Sequence, residues 1–238
     1  MTVDGIDVKE VYGIEQWNVS PAYASISNES EWTAGAALPF MVEGTAGLKT
    51  IKVTVMVSGT SRDEIWKKAE AFVAKLLRPC QIRLDGFEHC FYMFLKNATQ
   101  TEISLNRYHK ATLELTGYEY GDEVQIASSA KSITVINPGT LLTPAIIEIT
   151  PVINLASLTI TGLARDRYTG VDKPIVISNL INGSKIIING ETGIVTQGGV
   201  NKFSEVSLWD LPTLKPGENT VTVDKDVQMA IRLKPIYF

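Results

Sequence analysis

Ser132-Ile-Thr-Val-Ile-Asn-Pro-Gly-Thr140 and Pro144-Ala-Ile-Ile-Glu-Ile-Thr150 are two β-branched runs separated by turn chemistry. Branched side chains suit a pleated, half-buried strand. Between the runs Asn137-Pro-Gly-Thr140 is turn chemistry, and in the later Leu214-Lys-Pro-Gly-Glu-Asn219 Pro216 fixes φ, Gly217 takes the turn and Asn219 can hydrogen-bond the backbone. The same texture continues to the C-terminus. Strands are read at 131–136, 144–150, 155–161, 174–179, 185–188, 192–196, 205–209, 219–223 and 227–233. Pro151, Asn182-Gly183, Asn189-Gly190, Gly198-Gly199 and Pro216-Gly217 punctuate them. Short strands at this spacing, with no helix signal among them, predict a β-sandwich or jelly roll. That domain is placed at 131–238, with its boundary in the polar and Pro/Gly-containing stretch near 125–143.

Upstream the pattern changes. Ser61-Arg-Asp-Glu64 reads as a capping box, and Ile65, Trp66, Ala69, Phe72, Val73, Leu76 and Leu77 recur at helical spacing. Pro79 stops the run, so the spacing predicts a helix over 61–78. Leu48–Val57 alternates through Ile51, Val53, Val55 and Val57, and 110–120 through Ala111, Leu113 and Leu115, so both predict strands. Asp85-Gly86 predicts a two-residue hairpin loop joining 80–84 to 87–96, with Cys80 opposite Phe91. Residues 20–46, rich in Ser, Ala, Gly and Glu, read as a long loop or a two-stranded arm. Residues 1–130 are therefore expected to be an α+β, sandwich-like domain with one helix packed on an antiparallel sheet. The chain as a whole is expected to be mainly β.

The 238 residues suffice for two modest domains, each with its own core. A net charge of −4, with no basic run beyond Lys67-Lys68, argues against nucleic-acid recognition through phosphates. The halves differ: 12 Lys+Arg and 17 Asp+Glu in 1–130, against 10 and 9 in 131–238. The first residues carry no basic or apolar signal-peptide region. No apolar run approaches the roughly 18 residues of a membrane span. A soluble chain made in a cytosol is expected. On the expected register Cys80 and Cys90 face opposite sides of the hairpin, which predicts two buried free thiols and no disulfide.

Catalytic patterns are missing. The two histidines, His89 and His109, sit in no Ser-His-Asp or Cys-His spacing, and no zinc spacing is present. The acidic groups Asp4/Asp7, Glu119/Asp122/Glu123 and Asp224/Asp226 read as solvated loop acids, with a loose calcium site at Asp224-Lys-Asp226 as the minor alternative. Gly198-Gly199 lacks the lysine and following helix of a phosphate loop. No catalytic, cofactor or metal-binding residue is assigned. Trp209, Tyr168 and Phe203 are the aromatics a sandwich would use to stack a sugar. With Leu208 beside it and Pro212 following, Trp209 is expected in the core or between the sheets. Carbohydrate stacking on Trp209 and Tyr168 is the alternative.

The order of motifs carries one further implication. The two opening runs are followed by Leu158-Thr-Ile-Thr161, Asn189-Gly190, Leu214-Lys-Pro-Gly-Glu-Asn-Thr-Val-Thr-Val223 and the terminal Lys234-Pro-Ile-Tyr-Phe238. This order resembles the distal tail protein family of tailed bacteriophages and prophages. The layout of one helix, a hairpin and an all-β domain extends the resemblance over the whole chain. It implies an N-terminal domain with a helix and an arm, six copies of which form a ring continuing the tail tube. It implies a galectin-like C-terminal domain outside the ring that holds receptor-binding or other baseplate proteins. The function so implied is structural and non-enzymatic, at the tail tip of a virion. The implied partners are further copies of the chain, the tail tube protein, a tail hub or tail-associated protein and a receptor-binding protein. DNA would only pass through the channel, for which the acidic balance of 1–130 is suited. The alternative is a carbohydrate-binding sandwich module without ring assembly, although no galectin-type sugar motif is present.

Overall fold

The computed structural model describes the backbone of residues 1–27, 30–31, 35, 37–38, 40–41, 45–104, 107–165 and 170–238. Two compact units result, Met1–Tyr120 with Phe238, and Gly121–Tyr237. Both are built mainly from antiparallel strands.

The first unit runs β1 (Thr2–Val3), β2 (Ile6–Asp7), α1 (Val8–Tyr12), β3 (Ile14–Pro21), β4 (Ile26–Ser27), β5 (Ser30–Glu31), β6 (Phe40–Met41), β7 (Thr45–Ala46), β8 (Lys49–Ser58), α2 (Arg62–Leu76), β9 (Cys80–Arg83), β10 (Cys90–Ser104) and β11 (Tyr108–Tyr120). Its sheet has the order β2-β1-β9-β10-β11-β8-β3. Period-2 patterning sends Ile51, Val53, Val55, Val57, Leu113 and Leu115 to one face, where they are buried. The amphipathic α2 lies on that face and buries Ile65, Ala69, Phe72 and Leu76. Each such fully buried large side chain contributes about 1.5–3 kcal/mol.

Ser61 caps α2, its Oγ accepting from the Glu64 N–H at 3.2 Å. The Glu64 carboxylate turns back to the Thr60 N–H and hydroxyl rather than to the Ser61 N–H, so the capping box closes one residue early. Trp66 and Leu77, expected on the apolar face, are exposed. The buried stripe follows the i, i+4, i+7, i+11 row from Ile65 to Leu76 and is narrower than the apolar spacing suggested.

The hairpin register is slipped from the expected one. Met93, not Phe91, lies opposite Cys80, and the connection runs from Leu84 to His89. Leu84 is buried and Phe87 packs on the same core, so the loop closes by burying apolar side chains, which a two-residue turn could not do. The slip is by two residues, so it preserves facing. Both thiols are buried and free. In the 20–46 region β4 pairs with β7 and β5 with β6, which makes the arm two-stranded where it is described; the rest of that region lies outside the described residues.

The second unit contains β12 (Val124–Ser128), β13 (Ser132–Asn137), β14 (Thr143–Pro151), β15 (Leu155–Arg165), β16 (Asp172–Leu180), β17 (Ile186–Asn189), β18 (Val195–Gln197), β19 (Val200–Asn201), β20 (Val206–Ser207), β21 (Thr213–Leu214), β22 (Gly217–Val223), β23 (Val227–Leu233) and β24 (Ile236–Tyr237). One sheet has the order β12-β23-β14-β17-β18-β19, the other β13-β22-β15-β16-β20. Inward residues of both, among them Ile147, Ile149 and Ile231 from the first and Leu158, Ile177 and Val221 from the second, form a single core. The unit starts at Gly121, so residues 121–130 fall outside the expected 1–130 division. β12, overlooked in that stretch, pairs along its whole length with β23.

The two turn motifs are stitched together. Asn137 is buried, and its side-chain amide donates to the Leu214 and Leu141 carbonyls and the Thr143 hydroxyl, while its Oδ1 accepts from the Gly139 N–H. Asn219 closes the second motif, accepting from the Lys215 N–H and donating to the Lys215 and Gly217 carbonyls. Gly217 has φ +82°, a conformation that glycine adopts without strain. Thus the Asn-Pro-Gly-Thr segment holds the Leu-x-Pro-Gly-x-Asn segment across 77 residues of chain.

Candidate interaction surfaces

The side chains that sequence reading weighed for chemistry are engaged in structural contacts. Asp4 accepts from the Gln81 N–H and pairs with Lys75 at 2.5 Å, which holds its carboxyl below the usual range. Asp224 accepts from the Thr159 N–H at 2.8 Å, and Asp226 lies 3.5 Å from Lys131. No group of three or more metal-ligating side chains occurs among the described residues. His109 is buried under the helix-covered face, with Gln100 at 2.5 Å from Nδ1 and the Trp66 ring edge-on at 6.2 Å. Burial pushes the Cys80 thiol up to about 11 and keeps it unreactive.

One polar constellation was not legible in the sequence. Lys49 opens β8, Glu119 is the last residue but one of β11, and His89 precedes β10, yet the three meet. One Glu119 oxygen takes Lys49 and the other lies 2.7 Å from His89 Nδ1. Burial pushes the Glu119 carboxyl up, but the hydrogen bonds from Lys49 and His89 prevail and leave it below its ordinary value. Both oxygens are occupied, so the cluster ties strand ends together at the margin of the core.

Trp209 is not a core residue. It is 65% exposed, and its ring carries the Lys173 Nζ at 5.1 Å from the centroid. Leu208 packs against the core in its place. Phe203 is also exposed. Tyr168 lies outside the described residues.

The first unit presents a second kind of surface. Opposite α2, the outward face of the sheet bears Tyr92, Phe94 and Tyr118, all half-exposed, with Tyr92 and Tyr118 rings 5.6 Å apart. Thr50 and Thr116 hydroxyls meet at 3.1 Å beside them, and Glu114 pairs with Lys96 at 3.0 Å. The sheet also has open edges. β3 pairs only with β8, and β10 beyond Met93 pairs only with β11 among the described residues. At a bulge in β3, between Gln16 and Asn18, Trp17 stands 70% exposed. Unpaired strand edges are templates for pairing with another chain, and sequence periodicity gave no sign of them.

No protein-family profile matches the chain, and no curated protein does. Solved structures do match. The Dit protein (gp 19.1) of phage SPP1, described as a paradigm of the hub adsorption apparatus in Gram-positive infecting phages, superposes with TM-score 0.79 at 18% identity, covering 99% of this chain and 98% of that one. A chain of the phage P2 baseplate in its activated conformation with calcium matches with TM-score 0.52 at 12% identity, over 93% of this chain and 90% of that one. The chain therefore has the fold of these tail proteins from end to end. No helix among the described residues is long and apolar enough to cross a membrane.

Proposed function

We propose that this chain is a distal tail protein of a tailed phage or prophage. Its role would be a structural tail-tip and baseplate component that assembles as a six-membered ring between tail tube and tail tip. The observation that carries the reading is the end-to-end likeness to SPP1 Dit, which spans both units in one chain. The first unit supplies a physical means. Two of its open edges, β3 and the distal part of β10, lie on different strands and carry different side chains. An edge that pairs with a different edge on the next copy makes a head-to-tail interface, which closes into a ring when the rotation between copies is a whole fraction of a turn. The arm of β4–β7 and the aromatic outward face give a neighbouring copy further surface to cover.

In this reading the second unit stays outside the ring and docks other baseplate or receptor-binding proteins. DNA passes through the ring without being recognised, and the role is scaffolding rather than catalysis. Negative-stain imaging of the purified chain, alone and with a tail tube protein, tests the assembly. Six-fold annular particles are expected; dispersed single chains under both conditions would remove the ring from the account.

A further inference from the structure

The outward face of the larger sheet of the second unit holds a groove of about 520 Å3, lined mainly by polar side chains. That volume lies in the range of small-ligand sites, roughly 300–1,000 Å3. Its origin is a pair of small residues. Ala127 on β12 sits directly opposite Ala230 on β23, and Ala230 in turn faces Glu148 on β14. Two methyl groups stand where the flanking rows have larger side chains, Gln125 opposite Arg232 and Gln228 opposite Thr150. A trough with an apolar floor and polar walls follows.

The wall chemistry selects the ligand. Glu148 receives Lys185 Nζ at 2.6 Å and Arg232 at 2.7 Å, and the Lys185 bond above all holds its carboxyl below the usual range. Glu123 lies 3.8 Å from Arg232, so two cations meet two carboxylates and the site carries no surplus of either sign. A phosphate would need a cationic excess, and a hydrocarbon would need apolar walls. What remains on offer is a balanced set of donors and acceptors: the amides of Gln125 and Gln228, the Thr150 and Ser128 hydroxyls, and the spare N–H bonds of half-exposed Lys185. Arg232 Nε beside the groove is buried with no hydrogen-bond partner among the described residues.

We infer that this groove binds a neutral saccharide. The C–H face of a sugar ring lies on the Ala127 and Ala230 methyls, and its hydroxyls meet Gln125, Gln228, Thr150 and the Glu148–Lys185 pair. The site is separate from Trp209 and independent of ring assembly. Without an aromatic platform a single site is weak, about millimolar.

The test is titration of the isotope-labelled full chain with glucose, galactose and N-acetylglucosamine to tens of millimolar, followed by amide chemical shifts. For at least one sugar, saturable shifts centred on Ala127, Thr150, Gln228 and Ala230 are expected, with none from inorganic phosphate. Ala230→Leu fills the trough and should weaken binding at least tenfold. Gln228→Ala, at an exposed position, should weaken it several-fold with an otherwise unchanged spectrum, which covers the case in which the leucine variant misfolds. Absence of shifts with all three sugars, shifts centred on the Trp209 indole, or unchanged affinity in Gln228→Ala and a folded Ala230→Leu would each overturn the inference.

Discussion

In the first unit a 15-residue helix covers the buried face of the sheet, whereas in the second unit the cover is another sheet. Both solutions bury aliphatic side chains almost completely. They differ in what they leave over. A sheet covered by one helix keeps an uncovered face, here with Tyr92, Phe94 and Tyr118, and long edges at β3 and β10. A sandwich satisfies the inner faces of both sheets against each other. The difference teaches that a sheet covered by one helix leaves unpaired edges and an aromatic face exposed, which is what the proposed ring assembly would use, whereas the sandwich buries the inner faces of its two sheets against each other.

The sharpest way to break the comparison is to remove what covers the first sheet. Phe72→Ala deletes a fully buried ring from α2 and should cost about 3–5 kcal/mol. In calorimetry the transition of the first unit is expected to fall by roughly 10–20 °C while that of the second stays in place. Joint movement of the two transitions would mean that the units are not separate cooperative bodies.

Next in size is the ionic tie at the sheet margin. Glu119→Gln leaves Lys49, buried in β8, without its anionic partner, and a loss of about 3 kcal/mol is expected. The folded-state pKa of Glu119 lies below its ordinary 4.5. Its contribution is therefore complete above that value and is lost as pH falls from there through the folded pKa. Acid unfolding of the first unit, followed by denaturant titration between neutral pH and pH 3, should be shallower in the variant. An unchanged acid limb would show that the cluster plays no part in it.

Ser61→Ala removes the α2 cap and should lower the stability of the first unit by about 1 kcal/mol in urea titration. Trp209→Ala should change the second unit by less than about 0.5 kcal/mol, because the ring is exposed. A loss of several kcal/mol there would return Trp209 to the core.

Much of the fold was legible because its signals are local. The alternation of Ile51, Val53, Val55 and Val57 located β8, and Ser61 with Glu64 and Pro79 bracketed α2. Each of the nine strand segments read in 131–238 overlaps a strand of the second unit, since branched residues and turn punctuation act within a few positions. The segments 192–196 and 205–209 do so by two residues only, and the two-residue β19, β21 and β24 lie outside all nine. What failed depends on distant chain. The Asp85-Gly86 turn forms, closed by the Phe87 N–H on the Leu84 carbonyl at 3.3 Å, but inside a longer loop in which Asp85 exchanges hydrogen bonds with Gln16 and Leu84 is buried. The two-residue β20 is too short to show a period, so nothing local said that Leu208 and not Trp209 points inward. Lys49 and Glu119 are 70 residues apart, and Ala127 faces Ala230 across more than a hundred. Neither the margin cluster nor the groove leaves a trace in sequence spacing.

The central claim is that the open edge of the first unit carries assembly, and native mass spectrometry of the full chain beside Trp17→Glu tests it most directly. Trp17 projects from the bulge in β3 and is largely exposed, so the substitution leaves the fold intact while placing a charge on the pairing edge. The account predicts a six-copy species of the 26.1 kDa chain for the native sequence and single chains for the variant, with identical far-UV circular dichroism. Single chains for the native sequence across the accessible concentration range, or unchanged six-copy species in the variant, would contradict it.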